Sequence, residues 1–213
     1  MSSGSTANGG FRVAITIDAE HPDRVHRTGA DIGLLDVLAD RDVRATWFLQ
    51  GRWVEANPVT ARRVADDGHL VGNHSHYHAR MPLLTDDGLA ADVRDAEAAI
   101  REATGADPRP WFRCPFGAGA DDRRVLDRLA ELGYREVPAD VVLDDWEPDR
   151  TGPAIAADAV RLATEHGDGA VVLLHSWPSG TLDALPAIIT ELAAVGARFV
   201  TIDELDRFSA VPG

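Results

Sequence analysis

The sequence predicts an α/β fold in which parallel strands carry helices on their outer faces. Two short apolar runs rich in β-branched residues, Phe11 to Ile17 (FRVAITI) and Ala170 to Leu174 (AVVLL), read as buried strands. Stretches with helical spacing lie between runs of this kind, and such alternation implies crossover connections within a parallel sheet. A chain of 213 residues, 45% of them hydrophobic, is long and apolar enough to bury the core that such a sheet needs.

The opening ten residues are polar and rich in glycine and serine, which predicts a flexible tail at 1–10 followed by a single domain over 11–213. The first strand ends at Asp18. A helical stretch around Leu34, Leu35 and Leu38 leads to a second strand, Ala45 to Leu49. Pro58 to Asp67 reads as a helix, and Gly68 to Gly72 as a short strand closed by glycines. The clearest helix starts after Thr85, an N-cap; Leu89, Val93, Ala96 and Ile100 mark its apolar stripe, and Gly105 closes it. Trp111 to Cys114 comes next, then a helix near Val125 to Leu132 ending at Gly133. After the AVVLL strand, Leu182, Leu185, Ile189 and Leu192 form another stripe, and Arg198 to Ile202 is the last expected strand. No internal repeat or long linker divides the chain.

A formal net charge of -14 argues against nucleic acid and against an anionic membrane surface as partners. The single cysteine, Cys114, excludes an internal disulfide and is expected to be a buried apolar residue rather than a nucleophile. No run approaches the roughly 20 apolar residues of a membrane helix, and the first residues lack a secretory pattern. The chain as written is therefore expected to be cytoplasmic, or secreted and wall-associated if a leader has been removed. The sequence leaves the oligomeric state open.

Polar residues of chemical interest fall where strands end, the place such folds put their chemistry. Asn73-His74-Ser75-His76-Tyr77-His78 packs three of the chain's eight histidines into five positions, and His74 and His78 share a face if the loop turns helically. Neutral imidazole ligates zinc and related divalent ions, with three protein ligands usual in a catalytic site. A carboxylate should complete the set, and Asp18 and Glu20 leave the first strand two residues apart; one could bind metal and the other act as a base. Arg113, entering a turn at Phe112-Arg113-Cys114-Pro115-Phe116-Gly117, can keep a carboxylate ionised, and amides of that turn can face an oxyanion. His175 at the end of AVVLL is a natural general acid, and Asp145-Trp146 could orient it beside an aromatic wall.

From about Phe11 to Leu205 the chain strongly resembles the polysaccharide deacetylase family, also called the NodB homology domain or carbohydrate esterase family 4. The segment ATWFLQGRWVEANPVTARRVADDGHLVGNHSHYH follows the family's pattern almost throughout; His74 to His78 fits its H-[S/T]-x-x-H motif. Arg113 to Gly117 fits R-x-P-[F/Y]-G, Leu173-Leu174-His175 fits the last motif, and GARFVTIDEL resembles the closing strand. The resemblance implies a distorted, incomplete (β/α) barrel of about seven parallel strands, related to the TIM barrel. It implies a divalent metal, zinc first with cobalt or manganese as alternatives, and an acetylated carbohydrate substrate. By position Asp18 would be the base and Arg113 its charge partner. His74 and His78 would bind the metal, and the Phe116 N–H would stabilise the oxyanion. Asp145 would tune His175, the general acid, while Trp146, Leu173 and Tyr77 would line the substrate pocket. The family's T-F-D-D-G motif has a metal-binding second Asp where Ala19 stands here, so Glu20 is the expected replacement, with His21 the alternative. Its D-x-x-D-W motif has lost its first Asp to Val142.

The resemblance implies removal of acetyl groups, N-acetyl first and O-acetyl as a second case, from a sugar such as chitooligosaccharide, peptidoglycan or xylan. Two other readings compete. An allantoinase-like amidohydrolase acting on cyclic ureides or imides is supported by Ala19 and would differ in metal content. A non-catalytic carbohydrate-binding protein is opposed by the survival of Asp18, Arg113 and His175 together.

Overall fold

The computed structural model describes residues 10–21 and 28–209. The expected tail at 1–10 lies, except for Gly10, outside them. Strands β1 (Phe11–Ala19), β2 (Thr46–Leu49), β3 (Leu70–Asn73), β4 (Trp111–Phe112), β5 (Arg135–Glu136), β6 (Val141–Val142), β7 (Ala170–His175) and β8 (Ala197–Phe199) all pair in parallel. Helices α1 (Ala30–Asp40), α2 (Gly51–Ala56), α3 (Pro58–Asp66), α4 (Asp86–Thr104), α5 (Arg123–Glu131), α6 (Gly152–His166), α7 (Ser179–Ala194) and α8 (Asp206–Ser209) occupy the connections and the C-terminal end.

The strand order is β5-β4-β3-β2-β1-β7-β6, with β8 added to the start of β1. The edges β5 and β6 are consecutive in sequence. On a flat sheet, six steps of about 4.8 Å would hold them about 29 Å apart, yet the link from Glu136 to Val141 can span no more than about 18 Å. The sheet must therefore curl. Its seven-strand path is a half-barrel, open between β5 and β6.

Alternation along β1 gives the half-barrel two different faces. Val13, Ile15, Ile17 and Ala19 join a core with Leu34, Leu35 and Leu38 of α1 and Leu185, Ile188 and Leu192 of α7. Ala14 faces the other way, into a smaller cluster with Phe48, Trp111, Val171, Ile202 and Phe208. The β8 strand is shorter than Arg198 to Ile202, because Thr201 forms a capping box with Glu204 and turns the chain at Ile202. The α4 boundaries follow local chemistry: the Thr85 hydroxyl accepts from the Gly88 amide, and Gly105 ends the helix in the left-handed region. Among the described residues no helix is long and apolar enough to cross a membrane.

Candidate active site

The residues of interest converge because adjacent strands end at one level. Asp18 pairs with His175 of β7 and Phe48 of β2. His74 directly follows Asn73, the partner of Leu49, and Arg113 directly follows Phe112, the partner of Asn73. The two-residue period that sends Ile15 and Ile17 into the helix-covered core places Thr16, Asp18 and Glu20 on the opposite face of β1, where they rise in a line toward the mouth.

Glu20, His74 and His78 form the one group among the described residues that could hold a metal ion, with donor atoms all within 4.8 Å of one another. The Nε2 atoms of His74 and His78 lie 3.1 Å apart. Glu20 Oε2 lies against Nε2 of His78 and 3.5 Å from Nε2 of His74, while its Oε1 accepts from the Trp177 indole at 3.2 Å. Oε2 is buried without a hydrogen-bond partner. The ring nitrogen Nδ1 of His74 lies 2.9 Å from the Arg113 carbonyl oxygen. A carbonyl only accepts, so Nδ1 carries a proton, and in the neutral ring this leaves Nε2 as the nitrogen with a lone pair for a metal. Three electron-pair donors facing one point repel each other unless a cation or proton stands between them. Burial opposes the charged form of Glu20, but the two imidazoles hold it well below the usual carboxylate range. This donor set fits a divalent ion. His21 is turned away, its Nε2 3.0 Å from the Arg52 carbonyl.

Asp18 flanks the cluster. Its Oδ1 accepts from Arg113 Nη1 at 2.9 Å, and its Oδ2 faces His74 Nε2 at 3.6 Å. The guanidinium is fixed by Thr16 Oγ1 at 2.7 Å, by the Val137 carbonyl at 3.1 Å and by the Phe48 ring 4.2 Å away. On the other flank, His175 Nδ1 sits 2.7 Å from Asp145 Oδ1. Asp145 is buried, and its Oδ2 accepts from the His175 amide and the Thr181 hydroxyl. Burial disfavours the imidazolium, but Asp145 outweighs it and pushes His175 up to about 9, with Glu20 and Asp18 adding to the effect. The surroundings of His175 therefore favour its protonated form.

The remaining sequence candidates divide. The Phe116 backbone has φ 59, a left-handed conformation that costs about 1–2 kcal/mol in a non-glycine residue. Its ring, 60% exposed, stands 4.4 Å from that of His78. The Trp146 ring meets His175 edge-on at 5.1 Å. Leu173 lies two residues before His175 on the same face, half-buried beside Val142. Tyr77 is 61% exposed, its ring edge-on to that of His76 and under the Arg52 guanidinium. Cys114 is buried, and burial pushes its thiol up, which leaves no thiolate for attack. The sequence did not point to Trp177, Thr181 or Thr16. Trp177, two residues after His175, carried a faint signal; the two hydroxyls carried none, because their partners are distant in sequence.

Fold and site together define a parallel half-barrel hydrolase scaffold with a carboxylate–histidine cluster between two charged dyads. The polysaccharide deacetylase family profile matches residues 6–137, and the chain belongs to that family. It is 30% identical over 184 residues to the peptidoglycan-N-acetylmuramic acid deacetylase PdaA of Bacillus subtilis, covering 86% of this chain and 68% of that one. Other curated relatives are longer, and the chain spans 51% of one and 38% of another. A family 4 carbohydrate esterase from Streptomyces lividans, solved with acetate, superposes with a TM-score of 0.76 at 32% identity, covering 88% of this chain and 90% of that one. A CE4 family pseudoenzyme from Bacillus anthracis superposes at 0.81 with 28% identity, covering 93% and 66%.

Proposed function

We propose that this protein is a metal-dependent hydrolase that removes N-acetyl groups from a carbohydrate, with O-acetyl groups as a second substrate class. The observation that carries the reading is the buried, unpartnered Glu20 Oε2 facing two imidazole nitrogens, between a carboxylate held by arginine and an imidazole held by carboxylate. Glu20, His74 and His78 would hold the ion, zinc first, with cobalt or manganese as alternatives. When bound, a divalent ion polarises an acyl carbonyl and acidifies water.

The chain's own groups do the rest. Asp18 Oδ2 takes a proton from the attacking water, whose oxygen bonds to the acetyl carbon. Arg113 holds the other oxygen, Oδ1, and so leaves Oδ2 to take that proton. The Phe116 N–H supports the developing oxyanion, a contribution typically worth about 3 kcal/mol. As the carbon–nitrogen bond breaks, His175 delivers its proton to the leaving amine, giving acetate and a free amino sugar. An amine leaves poorly without that proton, so an amide substrate depends on His175 more than an ester does. Trp146 and Leu173 would close around the acetyl methyl.

Relatives named for N-acetylmuramic acid and N-acetylglucosamine of peptidoglycan favour a cell-wall sugar, with chitooligosaccharide and acetyl-xylan as the other candidates. The test is acetate release from a panel of these sugars after chelator treatment, with zinc, cobalt or manganese restored singly. We expect activity to vanish with chelator and return with metal; activity indifferent to both would sink the reading. The likeness to a CE4 pseudoenzyme supports a second possibility, a sugar-binding protein without turnover. Saturable binding of the acetylated sugars by the metal-loaded protein, with no acetate released, would select it.

A further inference from the structure

The loop that carries His74 and His78 is bent against its own preference. Ser75 and His78 both have positive φ, 62 and 57, and neither is glycine. Such a conformation persists only where neighbours impose it. Part of the hold is local: Asn73 Oδ1 accepts from the Ser75 amide at 2.8 Å, and the Ser75 hydroxyl accepts from the His78 amide at 3.0 Å. The start of α2 adds two donors, Gly51 N–H to the Ser75 carbonyl and Arg52 N–H to the His76 carbonyl, at 2.9 and 3.3 Å.

The remaining hold comes from a residue outside every motif noted in the sequence. Asp92, on the inner side of α4 and only 5% exposed, turns both carboxylate oxygens to the loop. Oδ1 accepts from the Tyr77 amide at 2.9 Å and Oδ2 from the His76 amide at 3.2 Å. It makes no ion pair among the described residues, so these two amides are what offsets the cost of burying its charge. Leucine or alanine at this position would leave the two loop amides without their acceptor.

We propose that Asp92 is a positioning residue for the metal site: it clamps the His76–Tyr77 segment so that the imidazoles of His74 and His78 point at one ion. This rests on the metal-dependent reading above. The test compares zinc binding, by competition with a chromophoric chelator, and the visible spectrum of the cobalt-substituted protein, for wild type, Asp92→Asn and Asp92→Ala. Asp92 bonds the backbone between the two imidazole ligands rather than a ligand itself, and the loss of direct outer partners, typically about 10–100-fold in affinity, sets the upper bound for its removal. We expect a loss of about 10-fold for Asn, which keeps one acceptor, and nearer 100-fold for Ala, with a changed cobalt spectrum in both. Activity of the Asn variant should recover as free zinc is raised, which a general loss of stability would not produce. Should the Ala variant fail to fold, Asn carries the test. A wild type that binds zinc beside an Asn variant of equal affinity and unchanged spectrum overturns the clamp alone. A wild type that takes up neither metal overturns the metal reading and the clamp with it.

Discussion

At the scale of single residues, the site is two dyads of opposite design around a shared centre. Arg113 occupies one oxygen of Asp18 and leaves the other toward the cluster, as the proposed role of base requires. Asp18→Asn keeps the shape and the contact to Arg113 but cannot take a proton. Turnover should fall by at least about 100-fold, while zinc affinity changes only a few-fold; full activity would remove Asp18 from the mechanism. His175 is the acid in the proposed mechanism, and Asp145 overcomes its burial to raise it from 6.5 to about 9. A pKa raised on folding contributes stability that is complete below about pH 6.5 and is lost as pH climbs to about 9. Activity that needs the imidazolium should follow the same limb, failing as pH rises through about 9. In Asp145→Asn that limb should move toward lower pH, and pH–rate profiles of the two proteins check it. An unmoved limb would assign the alkaline loss to another group. Asp18, His175, Arg113 and the two histidines were legible in the sequence because each sits at a strand end inside a recognisable local pattern. For the third donor the sequence favours Glu20 and keeps His21 as the alternative; the contacts that separate them, His21 on the Arg52 carbonyl and Glu20 beside the two imidazoles, leave no local pattern.

At the scale of elements, the fit of strand β3 against its neighbours reaches the chemistry. Gly72 lies where a Cβ would meet the Phe48 ring at 2.7 Å and Trp111 Cβ at 3.2 Å. The same Phe48 ring supports the Arg113 guanidinium. Gly72→Ala should therefore cost about 1–3 kcal/mol of stability by overpacking. It should also lower kcat more than zinc affinity, because the displaced ring carries Arg113 and not the metal ligands. Thermal melts and steady-state kinetics decide it; an alanine variant with wild-type melting temperature and kcat would show that the ring has room to move. Long elements with strong stripes, such as α4 and α7, could be read directly, as could β1 and β7. Strands β4, β5 and β6 are two residues each, too short for any periodicity, and they exist only because the curled sheet offers partners. Helix α6 escaped notice for a different reason: alanine fills its buried positions Ala156, Ala159 and Ala163, so its stripe has little hydrophobic contrast.

At the scale of the whole molecule, curvature and charge act on substrate together. The four residues between β5 and β6 force the sheet edges toward each other, and the curl brings Arg113, at the end of β4 three strands away, within reach of Asp18 on β1, where His175 already sits on the neighbouring strand. No local pattern announces that closure; it follows from strand order. The face that carries the candidate site thus belongs to a body with a formal net charge of -14, which repels polyanions over a distance set by salt, about 10 Å at 0.1 M and about 30 Å at 0.01 M. A peptidoglycan fragment bearing lactyl and peptide carboxylates feels this field, and a neutral chitooligosaccharide of the same length does not. If both are substrates, kcat/KM for the anionic fragment should rise several-fold as sodium chloride increases from 0.01 to 0.15 M, through KM, while the value for the neutral oligomer stays flat. Steady-state assays at fixed pH and metal concentration separate the two. A fall in kcat/KM for the anionic fragment over the same range would mean that local cations such as Arg80, 4.4 Å from the Phe116 ring at the edge of the site, outweigh the field of the whole protein.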